Sequence, residues 1–184
     1  MSDPIDLLTK SLILAIFLGG NLANADTRAF LPGSLAELKK AHERQPFVLM
    51  MWSIDCPSCV RELDVLPALL KRHRGMRLVM VSTDEIGYRQ RVEDMLAKHG
   101  LADVESWIFA DANTRRLRYE IDATWYGELP RSYFYDASHD RVPLSGVITE
   151  EHIDTWRAAV KRGSRSSRED GSPEIGREYG PSRP

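Results

Sequence analysis

Apolar residues along this chain fall into patterns of two kinds. Phe47-Val48-Leu49-Met50-Met51-Trp52 is a continuous run beginning just after Pro46, and Leu78-Val79-Met80-Val81 is a second between Arg77 and Ser82. Short unbroken runs bounded by breakers predict strands buried on both faces. Elsewhere the apolar positions return every three or four residues. Leu35, Leu38 and Ala41 follow Ser34-Leu35-Ala36-Glu37, which has the form of a capping box and predicts a helix start at Ser34. Val60, Leu63, Leu66, Leu69 and Leu70 share one face of a predicted helix from Pro57 to His73, which Pro67 should kink because it has no amide to donate. Val92, Met95 and Leu96 mark a helix from Tyr88 to His99, with Gly100 as its C-terminal cap.

The second half of the chain continues the alternation. Trp107-Ile108-Phe109 predicts a short strand, and Asn113 to Tyr119 a short helix. Arg131-Ser132-Tyr133-Phe134-Tyr135 and Arg141-Val142-Pro143-Leu144 flank a polar turn at Asp136-Ala137-Ser138-His139-Asp140, the signature of a hairpin. Thr149 then caps a last helix that carries Ile153, Trp156 and Val160. Strands alternating with helices, then a hairpin and a helix, predict an α/β fold with a central mixed sheet flanked by helices.

Both ends of the chain differ from this middle. Lys10 precedes the apolar run Leu12-Ile13-Leu14-Ala15-Ile16-Phe17-Leu18, and Ala23-Asn24-Ala25 has the small-x-small form of a signal-peptidase site. The run is shorter than the roughly 20 residues that span a bilayer. Asp3 and Asp6 offset the positive charge usual at the start of such a segment. Residues 1–25 are therefore expected to be a secretory signal peptide, with an uncleaved N-terminal anchor as the alternative. From Gly163 the sequence holds Ser, Arg, Gly, Pro and acids with almost no apolar residue, so residues 163–184 are expected to be a disordered tail. The domain is left as residues 26–162.

Composition excludes several classes. A net charge of -2, with 42% hydrophobic and 28% charged residues, offers no strong field to recruit nucleic acid. The two cysteines, Cys56 and Cys59, stand three positions apart and so close no long loop; their value is chemical rather than entropic. A structural zinc site needs four ligands, and there is no second cysteine pair; His42, His73, His99, His139 and His152 are scattered. Covalent haem attachment needs His directly after the second cysteine, where this chain has Val60.

A redox dithiol is what remains. Cys56 follows a buried strand at the point where a helix begins, so free amides and the helix dipole favour its thiolate and make it the nucleophile. Pro57 suits the first helical turn. Cys59, one turn later, resolves the mixed disulfide with a substrate.

Around that dithiol the chain, from Phe47 to about Val160, resembles the TlpA/ResA type of periplasmic thioredoxin-like thiol–disulfide reductases. The matching pieces are Trp52-Ser53-Ile54-Asp55-Cys56-Pro57-Ser58-Cys59, Glu62, Leu78-Val79-Met80-Val81-Ser82-Thr83-Asp84, and Gly127-Glu128-Leu129-Pro130 leading into Ser132-Tyr133-Phe134-Tyr135-Asp136. The resemblance implies a thioredoxin fold with an insertion, assigned to the region from Trp107 to Glu120. It also implies a cis Leu129–Pro130 bond facing the dithiol, where the backbone of Leu129 pairs with an extended substrate. Substrate contacts are thus expected at Pro57, Ser58, Leu129, Pro130 and Trp52. Trp52 would also shield the dithiol, with core packing as the alternative, and Trp125 and Tyr126, near the Pro loop, are read as an apolar rim, with ordinary packing as the alternative. It implies protein thiol and disulfide substrates, a periplasmic location, a membrane-embedded thiol reductase as electron donor, and no cofactor beyond the redox-active disulfide.

Some positions depart from that pattern. Thioredoxins carry a buried Asp six positions before the first cysteine, where this chain has Met50, so a proton relay for Cys59 is expected from Glu62 or water. Glu62, three positions after Cys59, would face the same side, with an exposed helix acid as the alternative. Asp55 replaces a frequent Trp beside Cys56, and a carboxylate there raises the thiol pKa. Leu129 stands where Thr is frequent and offers no hydroxyl. Two other functions use the same two thiols: an oxidase or isomerase, and a copper-carrying protein, since copper favours soft thiolates.

Overall fold

The computed structural model describes residues 26–169. The expected signal segment and most of the expected tail lie outside them. Six strands form one sheet in the order β1-β4-β3-β2-β5-β6. β2 (Phe47–Trp52) lies parallel to β3 (Leu78–Glu85), with Val48 opposite Leu78, and antiparallel to β5 (Arg131–Tyr135), with Met51 opposite Arg131. β4 (Glu105–Phe109) runs parallel to β3, β1 (Arg28–Phe30) closes one edge beside β4, and β6 (Arg141–Ser145) closes the other as the second arm of the hairpin. The sheet is mixed, as the alternation of elements predicts.

Helices cover both faces, which is why β2 is apolar at every position. Val48, Met50 and Trp52 point to a core shared with Cys59, Leu63, Leu66, Leu69, Val92, Leu96, Ile153 and Trp156. These come from α2 (Pro57–Leu63), α3 (Leu66–Arg72), α4 (Arg89–Lys98) and α6 (Glu150–Glu169). Phe47, Leu49 and Met51 point the other way, to a core with Leu35 and Leu38 of α1 (Ser34–Ala41) and Leu117 and Ile121 of α5 (Thr114–Ile121). The period of two along each strand thus feeds two separate apolar layers.

Several elements differ from expectation for identifiable reasons. Pro67 does more than kink a helix: α2 ends at Leu63 and α3 begins at Leu66. Proline leaves the carbonyl four residues earlier without its donor and crowds it with the ring, so the break falls a turn upstream of Pro67. The capping box at Ser34 does not form. Gly33, at φ 95°, is the N-cap, and its amide donates to both Glu120 carboxylate oxygens at 2.9 and 3.1 Å. Ser34 Oγ instead accepts from the Leu31 amide at 2.9 Å, bracing the turn before the helix. β1 was not anticipated, because three residues with one buried position leave almost no pattern. β4 begins at Glu105, two residues before its apolar core, and with α5 occupies the segment expected to be an insertion. α6 continues through Gly163 to Glu169, seven residues past the expected end of the domain. One glycine costs a helix only about 1 kcal/mol, too little to stop one already nucleated.

Candidate active site

β2 ends at Trp52, and the chain turns through Ser53, Ile54 and Asp55 to Cys56, the N-cap of α2. That turn is held by one carboxylate at the end of β3. Asp84 Oδ1 accepts from Ser53 Oγ at 2.7 Å, and Oδ2 accepts from the Ile54 amide at 3.0 Å and from Ser82 Oγ at 2.6 Å. Ser53 Oγ in turn accepts from the Asp55 amide at 3.1 Å, and the Cys56 amide donates to the Ser53 carbonyl at 3.2 Å. The sequence shows Asp84 only as a residue of a matching stretch; its role as anchor depends on β3 lying beside β2 in register.

Cys56 and Cys59 are joined by a disulfide, with Cα atoms 5.2 Å apart. Their environments are unequal. Cys59 is fully buried in the core with Trp52, Ile54 and Met50, whereas Cys56 is half-buried at the rim of that cluster. The Cys59 amide donates to Cys56 Sγ at 3.2 Å, and Ser58 Oγ lies 3.3 Å from the same sulfur. On reduction these two groups are in place to stabilise a Cys56 thiolate, while burial works against charge on Cys59. One sulfur is built to be met from outside and the other to stay behind it.

Glu62 shares α2 with Cys59 and is buried with it, so the alternative of an exposed helix acid is excluded. Its Oε1 accepts from the Ile148 amide at 2.6 Å, while Oε2 is buried without a partner. Burial pushes the carboxyl up to about 7, against the smaller opposing effect of the Ile148 hydrogen bond. Met50, at the position of the expected absent acid, is fully buried among apolar side chains. The buried carboxylate on the dithiol helix therefore comes from α2, not from the sheet.

The register of β5 against β2 sets Arg131 opposite Met51, so the turn at 129–130 reaches past the end of β2 to the level of the dithiol loop. The Leu129–Pro130 bond is cis. Leu129 is half-buried at the rim of both apolar cores, and Pro130 is buried. Pro57 is exposed and Ser58 half-buried. Trp52 corrects one expectation: it has no exposed area, so it packs beneath the dithiol and cannot touch a substrate. Trp125 corrects another, being 5% exposed with its Nε1 donating to the Glu128 carbonyl at 2.9 Å, whereas Tyr126 is 95% exposed. Asp55 is exposed and its side chain faces solvent.

Among the described residues no group of three or more His, Cys, Asp or Glu is placed to hold a metal ion, and no helix is long and apolar enough to cross a membrane.

No protein-family model and no curated protein sequence matches the chain. Solved structures do. A thioredoxin-related protein from Neisseria meningitidis serogroup B aligns with a TM-score of 0.53 at 17% identity, over 64% of this chain and 85% of its own. A secreted Mycobacterium tuberculosis disulfide oxidoreductase, described as homologous to E. coli DsbE, aligns with a TM-score of 0.50 at 18% identity, over 65% of this chain and 85% of its own. A secreted thiol-disulfide isomerase from Corynebacterium glutamicum aligns with a TM-score of 0.51 at 16% identity, over 69% of this chain and 73% of its own. The fold is thus the thioredoxin-like fold of thiol–disulfide proteins.

Proposed function

We propose that this protein is an exported thiol–disulfide oxidoreductase that reduces disulfides of periplasmic proteins. The observation that carries the reading is the unequal pair: a half-buried Cys56 with an amide and a hydroxyl at its sulfur, backed by a fully buried Cys59. The Cys56 thiolate attacks one sulfur of a substrate disulfide, forming a mixed disulfide and releasing the first substrate thiolate. Cys59 then attacks Cys56 Sγ, the Cys56–substrate bond breaks, and the second substrate thiolate leaves. Two electrons pass from the dithiol to the substrate, and the protein is left with the disulfide it carries here.

The second step requires Cys59 to lose a proton inside an apolar core. Glu62, near 7, is half ionised at neutral pH and suits a group that takes that proton and passes it on. Pro57, Ser58 and Leu129 form the surface on which the substrate lies, with the Leu129 backbone as a docking edge and the buried Pro130 fixing the turn behind it. Regeneration calls for an external dithiol, and in an oxidising periplasm a membrane-embedded thiol reductase is the donor that fits. Export is supported by the pattern of residues 1–25 and by the secreted character of the Mycobacterium and Corynebacterium proteins. The Corynebacterium protein also favours a second reading, isomerisation by the same dithiol at a higher potential.

The reduced protein should cleave the disulfides of insulin in the presence of dithiothreitol. Cys56→Ser should be inert, and Cys59→Ser should accumulate a mixed disulfide with the substrate that is visible on a non-reducing gel. No mixed disulfide with Cys59→Ser would overturn the assignment of Cys56 as nucleophile.

A further inference from the structure

Beneath the Leu129–Pro130 turn, on the side away from the dithiol, lies a set of charged residues that the exchange chemistry does not use. Arg131 follows Pro130 directly, and its side chain is 11% exposed. Its Nη1 donates to Glu128 Oε1 at 3.1 Å, so residues 128 and 131 are tied together across the two residues of the turn. Nη1 also donates to Ser145 Oγ on β6, and Ser145 Oγ donates to the same Glu128 oxygen at 3.0 Å. Nη2 donates to Asp122 Oδ2 at 3.2 Å, while Nε is buried without a partner. Both anchors of the guanidinium therefore pass through its Nη atoms.

Asp122, just after α5, is the fixed point. Its Oδ2 also accepts from Tyr133 Oη at 3.1 Å, its Oδ1 accepts from the Thr124 amide at 3.0 Å and Thr124 Oγ1 at 2.7 Å, and Arg141 Nη2 lies 3.5 Å from Oδ1. The Arg131 and Arg141 guanidinium carbons stand 5.1 and 4.9 Å from the Tyr133 ring centre. Gly146 N donates to the Pro130 carbonyl at 2.9 Å, which joins the same turn to the end of β6. Residues on α5, β5 and β6 thus converge on one short turn.

Resting on the disulfide-exchange reading, we propose that Asp122 and Arg131 are positioning residues for protein substrates, holding the backbone of Leu129 as a rigid edge on which an extended substrate segment docks. The physical reason is that strand addition costs ordering entropy on both sides. A turn fixed beforehand by a buried ion pair and a carboxylate strap spares the protein its share. Arg131 in particular cannot be exchanged for Lys without loss, because a point charge cannot bridge Asp122 and Glu128 as the fork does. A small disulfide reacts at Cys56 without laying a strand along Leu129 and so gains nothing from the device. A mere staple of the β5–β6 hairpin would affect both kinds of substrate alike.

The test compares insulin with oxidised glutathione as substrates of the reduced protein, for wild type, Asp122→Asn and Arg131→Lys. The expected result is a fall of about tenfold in the ratio of the two kcat/KM values, carried by KM for insulin. Arg131→Lys, which retains the charge, serves where Asp122→Asn folds poorly. Amide hydrogen exchange at Gly146, whose hydrogen bond to Pro130 reports the turn, should accelerate about tenfold in either variant. An unchanged ratio, or unchanged exchange at Gly146, would overturn the proposal. Wild-type protein that reduces neither disulfide would instead defeat the functional reading, while Gly146 exchange still decides whether the pair holds the turn.

Discussion

Two carboxylates in this molecule are both buried and oppositely treated. Glu62 on α2 is 2% exposed and Asp122 after α5 is 7% exposed, so burial alone would raise both. Glu62 is met by a single amide, from Ile148, and is pushed up to about 7. For Asp122 burial also acts upward, but donors from Thr124 and Tyr133 and the charge of Arg141 outweigh it and hold the carboxyl at about 2. Donors and a facing cation, set against the burial that dominates at Glu62, separate a group that titrates at neutral pH from one that stays an anion. The first is placed on the dithiol helix, where a proton must move. The second supports the turn opposite, where geometry must not change.

The largest effect that tests this contrast is removal of the permanent anion. Asp122→Ala takes away the carboxylate that Arg131, Tyr133 and Arg141 share, leaving Arg131 only Glu128 and Ser145, and should cost about 3 kcal/mol at pH 7, read by urea unfolding. A loss below about 1 kcal/mol would show that the network is not the anchor described. Glu62 sharpens the other side. Its folded value of about 7 lies above the ordinary 4.5, so the folded state holds the proton longer than the unfolded chain. Stability from this group is full below 4.5 and falls as pH rises to 7, by roughly 3 kcal/mol. Glu62→Gln should erase that slope, and an identical pH dependence in variant and wild type would refute the shift.

Asp122 has the reverse sign. Its contribution is full above 3.8 and should be lost, by about 2 kcal/mol, as pH falls towards 2. Acid unfolding of Asp122→Asn should lack that component. Asp84 is an intermediate case in donors, and Ser53→Ala, which removes one of them, should cost about 1 kcal/mol in thermal or urea unfolding. The smallest expected effect is in Ser34→Ala. It removes the acceptor of the Leu31 amide in a partly buried turn and should cost about 0.5 kcal/mol; a cost well above that would revive the capping box.

Much of the fold was legible because period and breakers carry it. The unbroken run from Phe47 to Trp52 is apolar because two layers of helices cover it, and no other arrangement of six such residues is so economical. The dithiol was legible because strand, C-x-x-C and helix occur in succession. The cis turn came from the resemblance, and Glu62 from the resemblance together with its place one turn after Cys59. What could not be read was long-range pairing. Nothing local shows that Asp84 would reach back to Ser53 and Ile54, or that Glu120 would take the amide of Gly33 and displace Ser34 from its cap. Arg131 and Tyr133 read as residues of one strand and Asp122 as part of a polar loop; only the seating of the end of α5 beside β5 brings them together. Trp52 and Trp125 misled for a related reason, since a tryptophan beside a site packs inward as readily as it lines a surface.

The most direct test of the central claim is the reduction potential of the Cys56–Cys59 couple, obtained by equilibrating the protein with dithiothreitol and glutathione buffers and trapping the free thiols. A disulfide reductase requires a value near that of thioredoxin, about −270 mV, and that is the result expected here. A value near the strongly oxidising end, about −120 mV, would contradict it and make the protein a donor of disulfides rather than a consumer of them.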